Sequence, residues 1–161
     1  MGAPIFVNGL PAKITKADFL FRFAQNFPDL IPETQNEFVE TIIDDVYSMF
    51  NGVNYLWDHM EPEVYFQKTQ ICFSLLVAWY ITDLYPHYAV GILTSGGIPI
   101  RKKRISTVSI EFGNPDNVPL KSNYKDLLAP LRSNPFGYKA YQMIRSSSKV
   151  NYLYGGNVSA R

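Results

Sequence analysis

One cysteine in 161 residues, Cys72, rules out a disulfide framework within the chain and a zinc site built on thiolates. The two histidines, His59 and His87, stand far apart and match no metal-ligand spacing, so no metal centre is expected. An excess of charge of one sign is missing as well: 15 Lys and Arg offset 14 Asp and Glu, for a formal net charge of +1. A protein that grips nucleic acid by neutralising phosphates carries a basic excess, and this chain does not. The longest apolar run, Ile71 to Thr82, is well short of the roughly 20 residues that cross a bilayer, with Gln67, Lys68 and Gln70 before it and Asp83 after it. No membrane association is expected. The opening MGAPIF lacks the basic region and apolar block of a secretory signal, and Phe6 stands where a myristoylation motif needs Ser or Thr. Export is therefore not expected, a reducing compartment is the default, and Asn157, Val158, Ser159 reads as a chance match to a glycosylation acceptor.

Catalytic patterns are missing in the same way. There is no phosphate-cradling GxxxxGK(S/T), no dinucleotide fingerprint and no GxSxG, since Thr94, Ser95, Gly96, Gly97 lacks the leading glycine and the strand-to-helix context. Asp44 and Asp45 are neighbours on a helix and point about 100° apart, a poor arrangement for paired acid and base work. His87 near Asp83 is the closest approach to a coupled pair, and a single histidine at a helix end reads as a cap or a surface residue. Neither a cofactor nor an enzymatic activity is expected.

What the chain does have is apolar residues, 47% of the total, enough for one domain with its own core. The run ICFSLLVAWYIT is apolar on every side of a helical wheel and reads as a central buried helix, opened by Pro62 and Glu63 and ended by Pro86 at the latest. Cys72 falls inside it as a small core residue, and Ser74 and Ala78 are small enough to admit a neighbouring helix. Upstream, a loop to about Lys13 leads to a short helix, where Thr15 and Asp18 resemble a capping box ahead of the stripe Phe19, Leu20, Phe23. A second helix begins near Glu33 after Pro32, carries Phe38, Ile42, Val46 and Phe50 at four-residue spacing, and stops at Asn51 and Gly52. Its other face bears Glu33, Glu37, Glu40 and Asp44 at spacings of 4, 3 and 4. These carboxylates read either as a solvated face or as a surface turned to a basic partner or lining a negative wall.

Beyond the central helix, Pro86, Gly91, Gly96, Gly97 and Pro99 make residues 86 to 104 a long loop or loose hairpin arm, ending in Arg101, Lys102, Lys103 and Arg104. This basic quartet reads as a solvated flank, as a contact for an acidic surface, or as a nucleic-acid contact. The one clear strand follows, with Val108, Ile110 and Phe112 alternating with Thr107, Ser109 and Glu111. A lone strand has to pair with the preceding loop or with another chain. A short amphipathic turn is expected between Tyr124 and Leu131, then a helix from Pro135 to Ile144 with Phe136, Ala140, Met143 and Ile144 on one side. The tail places Tyr152, Leu153 and Tyr154 in a Gly-rich stretch that needs a surface on its own domain or on a neighbour. The expected architecture is mainly α: a small helical bundle around a central buried helix, with a loop or β-arm at 86–113 inserted in a domain spanning 1–149 and a docking tail at 150–161.

The order of these features over residues 17 to 146 resembles the head-tail connector proteins of tailed phages, the adaptor or head-completion proteins, and within them the DUF4054 branch. The resemblance is carried by the F-P motif at Phe27, Pro28, Asp29, Leu30, by Ser106 to Phe112, and by Phe136, Gly137, Tyr141, Ile144 and Arg145 in the last helix. It implies a virion protein assembled in the bacterial cytoplasm, forming a homo-oligomeric ring between the portal and a neck or tail protein. The genome would pass through such a ring without sequence-specific binding. The acidic stripe and the basic quartet could then form the complementary halves of a ring contact, or the stripe could line the channel. A neck or tail-completion protein one layer lower, an interaction module outside any particle, and a small enzyme using His87 with Asp83 are the alternatives.

Overall fold

The computed structural model describes residues 3–90 and 128–147. Within them lie four α-helices, α1 Lys16–Phe23, α2 Asn36–Met49, α3 Pro62–Leu84 and α4 Pro135–Arg145, with short 3-10 turns flanking them. The fold is mainly helical, as the periodicity predicts, and α3 is its axis. Pro62 occupies the first helical position, where its missing N–H costs nothing, and Glu63 lies in the positively polarised first turn. Because α3 is apolar all round from Ile71 to Thr82, neighbours must cover that stretch on every side, and 13 of the helix's 23 residues are buried. It packs most extensively against α4, then against α2 and α1. Each large side chain it buries, such as Phe73, Leu76 and Ile81, contributes about 1.5 to 3 kcal/mol.

Aromatic rings fasten the layers. Tyr47 of α2 stacks on Phe73 of α3 with centroids 3.7 Å apart. Phe136 of α4 meets Phe23 edge-on at 5.1 Å and Phe27 at 5.6 Å, which ties α4 to the end of α1. Polar groups inside this core are used as fasteners for loops: Tyr47 Oη accepts the N–H of Ile14, Gln70 donates to the carbonyl of Ala12, and Tyr65 Oη donates to the carbonyl of Asn54. Gln70 and Tyr65 are both buried, so each of these bonds replaces water that the side chain has lost.

Three details differ from the reading of the sequence or refine it. The segment before Lys13 is a β-hairpin instead of a loop, with β1 Phe6–Val7 antiparallel to β2 Leu10–Pro11. Asn8 and Gly9 both have positive φ, 54° and 83°, the combination a type I′ two-residue turn requires, and Asn-Gly is the sequence that supplies it. A 3-10 turn at Glu33–Gln35 precedes α2, so the α-helix proper begins at Asn36. Thr15 and Asp18 form a complete capping box despite Asp in the Glu position. The strand expected at Thr107 to Phe112 lies outside the described residues.

Candidate functional site

Glu33, Glu37, Glu40 and Asp44 are all exposed, yet they are not equivalent. Asp44 pairs with Lys13 at 2.7 Å, both side chains more than half exposed, a contact worth at most about 1 kcal/mol. Glu40 accepts the backbone N–H of Lys16 at 3.0 Å. Lys16 is the first residue of α1, so the Glu40 carboxylate sits at the positive end of that helix and satisfies one of its orphan donors. Glu40 is thereby committed to holding α1 on α2, and Asp44 to the segment just before α1. Glu33 and Glu37 point outward without such a commitment.

Lys16 completes this joint from the other side. Its side chain is buried, and the ammonium donates to the carbonyls of Pro32 and Ile31 at 2.8 and 3.3 Å and to the side chain of Asn36. A buried charge needs such a full set of acceptors. Neither Glu40 nor Lys16 could be assigned these roles from local pattern, since their partners lie 24 and 15 to 20 residues away.

Beside the joint, and sharing Lys16 and Glu40 with it, is an open depression of about 450 Å³ that Ala17, Leu20, Ile31 and Asn36 also line. Ile31 is 51% exposed, and Phe21, next to Leu20 and one turn on from Ala17, is 80% exposed. Phe21 is the most exposed large apolar side chain among the described residues. The surface formed by α1 and the start of α2 therefore combines exposed apolar side chains with exposed carboxylates. A second open depression, of about 540 Å³, lies where Pro4 and Phe6 of the hairpin face Glu61, Pro62 and Glu63.

No chemistry converges elsewhere among the described residues. Asp83 receives a hydrogen bond from Ser133 Oγ at 2.9 Å, while the His87 ring lies against Tyr88 at 4.3 Å. Burial raises the Asp83 pKa, and hydrogen bonds from Ser133 and Asn134 oppose that rise. Burial also pushes the Cys72 thiol up, which keeps it protonated inside the core. Among the described residues no group of three His, Cys, Asp or Glu could hold a metal, and no helix is long and apolar enough to cross a membrane. Arg101 to Arg104 and Tyr152 to Tyr154 lie outside the described residues. Fold and surface together define a mainly helical domain with an amphipathic outer face on α1 and α2. No protein-family model, no curated protein and no solved structure matches the chain.

Proposed function

We propose that this chain is a structural subunit of the head-tail connector of a tailed bacteriophage, one member of a homo-oligomeric ring beneath the portal through which the genome passes. The observation that carries an assembly role is Phe21, 80% exposed on α1, with Ile31 half-exposed as well. Leaving such side chains in water forgoes about 1.5 to 3 kcal/mol each, which a neighbouring subunit recovers by covering them. The connector in particular rests on the resemblance in residues 17 to 146, with which a bundle wrapped on one apolar helix is compatible. In this reading the role is structural, and the exposed carboxylates Glu33 and Glu37 either meet a basic neighbour or line the channel and repel passing DNA.

Quantitative mass spectrometry of gradient-banded particles tests the proposal. Tryptic peptides of this chain at a low, ring-like ratio to the major capsid protein are expected. Their absence from intact particles removes the connector and leaves an interaction module outside any virion.

A further inference from the structure

We infer that the outer face of α1 and α2 is the acceptor for a second copy of this chain, which docks residues 98–105 on it. The inference rests on the reading of the chain as a self-assembling subunit and names the contact by which it assembles. The acceptor combines the exposed ring of Phe21, the side chains of Ala17, Leu20 and Ile31 that line part of the depression, and the exposed carboxylates of Glu33 and Glu37 at and just before the start of α2. Glu40 adds only its second oxygen, because Oε2 is held by the Lys16 N–H.

The sequence Ile98-Pro99-Ile100-Arg101-Lys102-Lys103-Arg104-Ile105 carries the complementary chemistry, branched apolar side chains bracketing four cations. It holds four of the 15 basic residues of a chain whose net charge is only +1. Such local concentration matches two free carboxylates and suits electrostatic steering, while the apolar lining and Phe21 supply the area that slows dissociation. One molecule thus carries both halves of the contact in different parts of its sequence. Contacts of this kind are head-to-tail, and repeated around a suitable rotation they close into a ring.

The test uses the full-length chain and sedimentation velocity over a range of concentrations. Wild type is expected to self-associate, with weaker association at high salt as the charge pairs are screened. Phe21→Ser, at an exposed position, should leave the thermal midpoint unchanged and weaken association by about tenfold or more, the effect of removing a central aromatic anchor. Glu33→Lys with Glu37→Lys in one chain, and Glu at all four positions 101–104 in another, should each fail to associate alone and associate when mixed. Assembly of wild type that neither set of variants alters overturns this contact and leaves the ring standing by some other surface. A strictly monomeric wild type also overturns it, while the connector itself is decided separately by the content of the particles. Crosslinking of mixed heavy and light isotope-labelled wild type supplies the remaining distinction: links between 101–104 and Glu33 or Glu37 that join heavy to light chains support a second copy, and links confined to one chain overturn it.

Discussion

Gly137 is a position where the fold has no room for a single methyl group. A Cβ there would lie 2.1 Å from the Leu131 carbonyl oxygen and 2.5 Å from Trp79 Cδ1, so the close approach of α4 to α3 depends on its absence. The same residue donates its N–H to Asn134 Oδ1 at 3.1 Å, the N-cap of α4. Gly137→Ala should destabilise the fold by about 1 to 3 kcal/mol, the usual cost of overpacking, read as a lower denaturant midpoint at unchanged slope. Asp83 makes a prediction of the opposite sense. Although the residue keeps contact with solvent, its carboxylate leans on Ser133, and burial raises its pKa above the ordinary 3.8. The folded state then holds the proton more tightly than the unfolded one. The stability this adds is fully present below the unfolded pKa and is lost as pH rises through the folded one. Asp83→Asn keeps an oxygen for Ser133 to donate to and removes that decline, so the variant should gain on wild type as pH rises through this window. A difference in midpoint that stays flat with pH would count against the desolvated carboxylate.

At the scale of elements, proline and apolar periodicity were the legible signals. Pro62 and Pro135 stand at the first positions of α3 and α4, and the all-apolar run from Ile71 identified the axis of the bundle. The hairpin reads as a loop in the sequence, because each of its strands is two residues long, too short for alternation to register, and only Asn8-Gly9 signals it. The acidic stripe shows the limit of pattern reading. Spacing alone places Glu37 and Glu40 on one helix face as equals, whereas only Glu40 meets the N–H of Lys16, because that partner arrives through the tertiary fold. Glu40→Ala should therefore cost about 0.5 to 2 kcal/mol, the range for a lost helix cap, while Glu37→Ala should stay within about 0.5 kcal/mol of wild type. Equal effects at the two positions in chemical denaturation would place Glu40 outside the joint.

For the molecule as a whole, the separation of roles within the stripe decides how a channel function is probed. Reversing Glu40 would confound lost charge with a loosened α1. Reversal of Glu33 and Glu37 to Lys leaves the joint intact and changes only outward charge. If these carboxylates face passing DNA, particles carrying the double variant should assemble and then lose infectivity through slowed packaging or ejection, whereas normal infectivity excludes the channel role. A variant that yields no particles points instead to their part in a contact between subunits. The two tryptophans bear on how any of this is observed. Trp57 is 3% exposed and Trp79 8%, with the Trp79 indole N–H donated to the Pro130 carbonyl at 3.1 Å. Their intrinsic fluorescence follows unfolding and is nearly silent about events on the outer surface. A third indole introduced as Phe21→Trp would emit from water in the free subunit and shift to the blue when covered, giving assembly an optical signal separate from that of the core.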